Sequence, residues 1–165
     1  MRKILYILGH LNDDDIDWMV SVGQVRELSD EGTLITESVE TPDLFILLNG
    51  TAEVRASGAG VVAVLRAGDV VGEMAFVDHA PPSASVVAVG TLQYLAVAKT
   101  ELQHRLDTDP GFAARFFKAL AVFLSARLRK ANDLVRSIET GVDTPTMGGD
   151  QFHHMLTRLH ESGKH

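Results

Sequence analysis

Short apolar runs alternate with turn residues between positions 24 and 97, and this pattern constrains the fold more than any other feature. The runs cover residues 33–35, 44–48, 52–54, 61–65, 70–71, 85–89 and 92–97. Glycines separate them, and Asn49-Gly50-Thr51 has the composition of a hairpin turn. Short strands with a turn signal about every ten residues are typical of an all-β sandwich or barrel. A parallel α/β fold is disfavoured, because no helical pattern separates the runs.

Helices are predicted on both sides of this β-region. Asn12 can cap a first helix, which runs to about Val22 and ends at Gly23. A short helix is predicted over residues 101–106, and Asp109-Pro110 is a typical start of another one. The apolar stripe of that last helix keeps steps of three or four and comprises Phe112, Phe116, Leu120, Leu124, Leu128, Ala131, Val135 and Ile138.

Charge is distributed unevenly along the chain, whose formal net charge is −7. Between positions 115 and 136 the only acidic residue is Asp133. The basic residues of this segment are Arg115, Lys118, Arg127, Arg129, Lys130 and Arg136. A basic helix beside an acidic body is expected to dock on that body or on an anionic ligand. Binding to nucleic acid is disfavoured, since no second helix of a helix-turn-helix follows.

The composition also bears on location and on catalysis. The sequence has no cysteine, which removes disulfides and thiolate nucleophiles and fits a reducing compartment. Its apolar run at residues 4–8 is too short for a signal peptide, and no stretch reaches the ~20 apolar residues of a membrane span. We find no convergent set of nucleophile, base and metal ligands. The sequence thus predicts a cytoplasmic protein that is not an enzyme and does not contact a membrane.

The most informative stretch covers residues 68–86. A strand ends at Gly72, a short helical turn is predicted over residues 73–77, and Pro81-Pro82 lies in the loop to the next strand. A helix start exposed in a β-domain offers free N–H groups and a positive dipole end, which suit a phosphate. A glutamate at that turn, Glu73, is better placed to accept hydrogen bonds from sugar hydroxyls beside the phosphate.

This stretch resembles the phosphate-binding cassette of cyclic nucleotide-binding domains, the family of catabolite-activator-type regulators and kinase regulatory subunits. Residues 32–54 and 65–73 also resemble the glycine-punctuated first half of that family. The likeness extends over roughly residues 4–138. It implies a mainly β fold with flanking α-helices, in which a jelly-roll-like β-roll is followed by a long C-terminal helix. No DNA-binding domain is expected after that helix.

The resemblance also implies roles for single residues. Glu73 would accept a hydrogen bond from the ribose 2′-hydroxyl, and Ser83 would donate to the phosphate. Pro82 stands where the family has its phosphate-binding arginine, and proline can donate no hydrogen bond there. The implied ligand-binding set is Gly72, Glu73, Met74, Ala75, Pro82, Ser83 and Ala84.

Three segments are expected along the chain: a cyclic nucleotide-binding-like domain over 1–138, a linker over 139–150 and an amphipathic tail over 151–165. The domain would consist of an N-terminal helix, a β-roll over 24–98 and helices over 100–138. The tail carries Phe152, Met155, Leu156 and Leu159 on one face, and its histidines are expected to lie on a solvated face without a metal. The long helix after Leu124 extends beyond a small roll, which predicts a homodimer.

Two functions remain open on the sequence alone. The first is a regulatory domain that binds cAMP or a related cyclic nucleotide, without a further cofactor, and signals through its C-terminal helix. The second is a degenerate cassette in a ligand-independent module for dimerisation or for binding an unidentified protein, which Pro82 favours.

Overall fold

The structure, a computed structural model, describes residues 9–139. The elements, in chain order, are α1 (Asp13–Val22), β1 (Gln24–Leu28), β2 (Thr33–Ile35), β3 (Asp43–Ala56), β4 (Gly60–Arg66), β5 (Val70–Val71), α2 (Glu73–Asp78), β6 (Ser85–Ala98), α3 (Lys99–Thr108) and α4 (Pro110–Glu139). The described residues divide into two units, and the boundary lies within α4, between Phe123 and Leu124. Glu139, the first residue of the predicted linker, is the last residue of α4, and the rest of the linker and the tail lie outside the described residues.

One antiparallel sheet of six strands is built on the two long strands, β3 and β6. Toward one end, β6 pairs with β1 and β3 pairs with β5; toward the other end, β6 pairs with β2 and β3 pairs with β4. The buried cluster takes side chains from both ends of the sheet, including Phe45 and Tyr94 from one and Ala52 and Val86 from the other. The two halves therefore close over a common core, which confirms the expected β-roll.

The predicted hairpin at Asn49-Gly50-Thr51 is wrong. Residues 44–48 and 52–54 belong to a single strand, and residues 85–89 and 92–97 likewise form one strand. Gly50 and Gly90 have positive φ angles of 97° and 70°, and the β3–β6 register shifts beside Gly50. The same residue chemistry that predicts a turn thus produces an irregularity where the long strands bend.

The first strand, β1, was not predicted. Its sequence, Gln-Val-Arg-Glu-Leu, has only two apolar residues, and Val25 is 58 % exposed. The strand is held by its pairing with residues 92–96 of β6 rather than by a buried face of its own.

The starts of α1 and α4 agree with the sequence, whereas α3 begins at Lys99 and ends at Thr108, two residues beyond each end of the predicted helix. The Asn12 side chain accepts a hydrogen bond from the Asp15 amide, and the Asp15 carboxylate accepts one from the Asn12 amide, which makes a capping box. Asp109 caps α4 by accepting from the Phe112 amide at 2.9 Å. The last helix buries Phe112 and Phe116, as its stripe predicts.

A bidentate ion pair joins α1 to α4. Arg115 donates from Nε and Nη2 to the two carboxylate oxygens of Asp15, at 2.6 Å and 2.8 Å. Asp15 is 1 % exposed, whereas the Arg115 side chain is 36 % exposed. Beside this pair, Trp18 packs edge-on against Phe112, and the Arg105 guanidinium lies 4.8 Å from the Trp18 ring centre. Salt bridge and aromatic contacts together fasten α1 to the end of α3 and the start of α4.

We expect Gly50→Ala to destabilise the domain more than Gly90→Ala. Both glycines are in the left-handed region, where alanine costs about 1–2 kcal/mol. A Cβ on Gly50 would in addition collide with the Thr91 carbonyl, whereas a Cβ on Gly90 would meet nothing within 4 Å. The extra loss should be about 1–3 kcal/mol, as for an overpacked site. Urea unfolding of the two variants measures the difference, and equal losses would contradict the close approach at Gly50.

We expect Asp15→Asn to cost about 1.5–3 kcal/mol at neutral pH, the range for hydrogen bonds to charged groups. The hydrogen bond from Arg115 holds the pKa of Asp15 below its ordinary value. The stabilisation by the ion pair is fully present when the pH is above the pKa of an unfolded aspartate, about 3.9. It is lost as the pH falls through the lower folded pKa.

The difference in unfolding free energy between wild type and Asp15→Asn should therefore shrink on acidification. Asp13→Asn is the matched control, since it removes an exposed carboxylate from the same helix turn. A gap that stayed constant down to pH 3 would show that the ion pair does not stabilise the fold.

Candidate functional site

The site is built on a short helix, α2, that directly follows a buried strand. Strand β5 pairs with Phe45 and Ile46 of β3, and both of its valines are buried. Gly72 caps α2 in a left-handed conformation, with φ 87°, and His79 ends it with φ 57°. The predicted turn over residues 73–77 is confirmed and extends to Asp78.

Glu73 opens α2 and is only 3 % exposed. Among the described residues, Asp15 is the other buried carboxylate, and it is paired with Arg115. The neighbouring residues are less buried than Glu73: Met74 is 55 % exposed, and Ala75 is half-buried. Burial of a carboxylate is costly unless hydrogen bonds or ion pairs compensate for it. Its burial therefore distinguishes Glu73 from every other acid of the described residues except Asp15.

Phe76 anchors α2 to the last helix. It is 8 % exposed and packs edge-on against Phe116 of α4, with ring centres 6.1 Å apart. Phe116 stacks in turn on Phe112, at 5.7 Å. These rings thus join α2 to the start of α4.

The loop after α2 carries the remaining predicted residues. Ser83 is exposed, and Pro82 and Ala84 are half-buried. The carbonyl of Pro82 accepts a hydrogen bond of 2.8 Å from the Ser38 amide. The Ser85 hydroxyl accepts one of 2.9 Å from the Glu37 amide.

A tight turn precedes the site. The Asp69 carboxylate accepts from the Arg66 amide at 2.7 Å, and the Gly68 amide donates to the Leu47 carbonyl at 2.7 Å. These bonds fix the turn against β3, while Arg66 itself is exposed. The structure thus brings residues 72–75 into one helical turn and leaves residues 82–84 in a loop. Pro82 of this loop is bonded to Ser38, and Ser85, which follows the loop, is bonded to Glu37. Sequence reasoning missed Glu37 and Ser38, since their bonds to this loop are formed by backbone amides.

The family model for "Cyclic nucleotide-binding domain" matches residues 25–109, which is more than half of the chain. The chain belongs to this family. The matched region contains the whole of α2, the loop after it and every residue of the expected ligand-binding set.

Two curated relatives are Pycsar effector proteins. XpPycTIR of Xanthomonas perforans is 32 % identical over 118 residues, which are 71 % of this chain and 37 % of the relative. PaPycTIR of Pseudomonas aeruginosa is 30 % identical over 130 residues, which are 78 % of this chain and 40 % of the relative. The chain thus spans less than half of the length of these relatives.

Solved structures agree on the fold. A cyclic nucleotide-binding domain from Methylobacillus flagellatus KT superposes with a TM-score of 0.73 at 24 % identity, over 81 % of each chain. The catabolite activator protein of Thermus thermophilus superposes with a TM-score of 0.64 at 25 % identity, over 81 % of this chain and 63 % of that one. The expected family and fold class are therefore confirmed.

Over residues 9–139, no group of three or more histidine, aspartate or glutamate side chains is arranged to hold a metal ion. No helix within the same range is long and apolar enough to cross a bilayer.

Proposed function

We propose that this cyclic nucleotide-binding domain binds cAMP or a related cyclic nucleotide at residues 72–84 and acts as a non-enzymatic regulatory sensor. The observation that supports this most directly is the buried carboxylate of Glu73 at the first position of α2. The family resemblance assigns that position to the ribose 2′-hydroxyl. A buried carboxylate is a strong acceptor for such a hydroxyl, because little water competes for it.

The phosphate would lie at the first turn of α2 and at Ser83. The first amides of a helix have no acceptor within the helix, so those of Met74 and Ala75 suit an anionic oxygen. The hydroxyl of Ser83 is exposed and free to reorient toward it. Ala84 carries only a methyl group, which leaves room for the ligand.

Pro82 limits the affinity. An arginine there could pair bidentately with the phosphate, and hydrogen bonds to charged groups contribute about 1.5–3 kcal/mol. Its absence corresponds to an affinity that is about ten-fold to a few hundred-fold weaker. We therefore expect the protein to bind the nucleotide more weakly than it would with an arginine at position 82.

The signal would leave through α4. The ring contact between Phe76 and Phe116 supports this, since a shift of α2 on ligand binding must repack the start of α4. The Pycsar effector proteins are more than twice as long as their match to this chain, which supports a regulatory role beside another activity.

Isothermal titration of the protein with cAMP and cGMP tests the proposal. We expect Glu73→Ala to weaken binding by about ten-fold to a few hundred-fold, as for the loss of a hydrogen bond to a charged group. Glu101→Ala is the matched control, because this glutamate also lies in the first turn of a helix, α3, but is exposed and outside residues 72–84. Thermal unfolding of Glu73→Ala must show a folded protein.

Two results would contradict the proposal. One is the absence of heat of binding up to millimolar nucleotide. The other is equal weakening by Glu73→Ala and Glu101→Ala, which would place the ligand elsewhere.

We expect Pro82→Arg to tighten cAMP binding by about ten-fold to a few hundred-fold, because it supplies the missing guanidinium. The carbonyl of residue 82 remains available to Ser38. Pro81→Arg adds the same charge at the neighbouring, exposed position and should change the affinity much less. Equal gains in the two variants would indicate a general effect of charge and would contradict the assigned position.

A second candidate is a dimerisation module, and the exposed apolar residues of α4 favour it. Leu128, Val135 and Ile138 are 62 %, 53 % and 73 % exposed. With Leu124 and Ala131 they alternate steps of four and three residues, the spacing of a two-helix seam. We propose that a second copy of the chain covers this seam, because its α4 offers an apolar face with the same spacing.

We expect sedimentation velocity to give a dimer for the wild type and a monomer for Leu128→Lys, since a lysine at the seam must be desolvated. Ala126→Lys is the matched control, because it adds the same charge at an exposed position outside the seam. A wild-type monomer, or equal dissociation by both variants, would eliminate this interface.

A further inference from the structure

The segment between β2 and β3, residues 36–42, contacts the loop that leaves the candidate site. The Ser38 amide donates to the Pro82 carbonyl at 2.8 Å. The neighbouring Glu37 amide donates to the Ser85 hydroxyl at 2.9 Å. Two successive amides of this segment, which we name the bridging segment, thus hold the residues on both sides of Ser83 and Ala84.

The bridging segment also lies against the start of the site. A Cβ added to Gly72 would be 3.9 Å from the Thr41 side chain and 3.3 Å from the carbonyl oxygen of Asp43, the residue that follows the segment. The backbone of Gly72 is therefore packed close to the end of the segment. One short stretch of chain contacts both ends of the proposed ligand-binding residues.

Further bonds fix the bridging segment to the rest of the roll. The Glu37 carboxylate accepts from the amide and the hydroxyl of Ser57, at 2.9 Å and 3.0 Å, in the turn between β3 and β4. The Pro42 carbonyl accepts a 2.8 Å bond from the amide of Lys99, the first residue of α3. The segment is thus attached to the sheet and to the start of a helix.

The backbone of Ser38 is held in an uncommon conformation. Its φ angle is 63°, which costs a residue other than glycine some conformational energy. Such a conformation persists where the surroundings determine it, here through the bonds of the Glu37 and Ser38 amides. The proline at position 82 has a restricted φ, which limits the directions in which its carbonyl can point.

We propose that Glu37 and Ser38 are positioning residues for the ligand site: the bridging segment sets the distance between α2 and Ser83. This proposal rests on the proposed function for the identity of the ligand. In this arrangement Pro82 contributes a fixed carbonyl to the bridge instead of a cation to the phosphate. Ser85 is the point at which a single substitution loosens the bridge without changing a residue of the ligand-binding set.

Amide hydrogen exchange of the unliganded protein, followed by NMR, tests the bridge itself. Ser85→Ala removes the acceptor of the Glu37 amide, and we expect the amides of Glu37 and Ser38 to exchange about two- to ten-fold faster, the range for one net hydrogen bond. Ser85→Thr retains a hydroxyl and should restore slow exchange. Ser21→Ala is the control, since its hydroxyl bonds within α1, to the Trp18 carbonyl.

A second variant, Glu37→Ala, breaks the attachment to Ser57 and should accelerate exchange at Ser38 as well. Acceleration at Glu37 alone in Ser85→Ala, with Ser38 unchanged in both variants, would overturn the proposal, because the segment would not act as a unit.

Titration with cAMP tests the effect on the ligand site. We expect Ser85→Ala to weaken binding about two- to ten-fold, with rescue by Ser85→Thr and no effect of Ser21→Ala. Unchanged affinity in Ser85→Ala would overturn the positioning role. If the wild type bound neither cAMP nor cGMP, the proposed function would fail, while the exchange experiment would still decide whether the bridge exists.

Discussion

The pairing of β3 with β6 is the interaction on which the rest of the structure depends. Each of these strands has 14 residues, and each remaining strand of the sheet pairs with one of them. Because both strands bend at glycines, their two halves can face each other and enclose one core. The candidate site occupies the connection from β5, which is paired to β3, into β6, so its two ends are fixed by the same pair of strands.

Much of the fold could be predicted because its signals are local. Apolar runs, the Asn12 and Asp109 caps and the short helix at Glu73 depend on residues close together in sequence, and the structure confirms them. The hairpin at Gly50 was wrong because a positive φ angle suits a tight turn and a bend within a strand equally well. Strand β1 was missed because its stabilisation comes from β6, about seventy residues away.

The same distinction between local and long-range signals applies to the candidate site. The resemblance supplied Glu73 and Ser83, whose side chains are part of a recognisable motif, and the structure adds the burial of Glu73. Glu37 and Ser38 could not be predicted, because their amides would be present with any side chain except proline. Their importance depends on where the chain places them, which sequence patterns do not encode.

Trp18 has one further consequence. It is the only tryptophan of the sequence, and its indole contacts Phe112 of α4 and the Arg105 guanidinium of α3. Phe112 stacks on Phe116, which contacts Phe76 of α2. The unlabelled protein therefore contains an intrinsic fluorescent probe of this helical junction. Because the sequence has one tryptophan, a change in tryptophan emission reports on the surroundings of Trp18 alone.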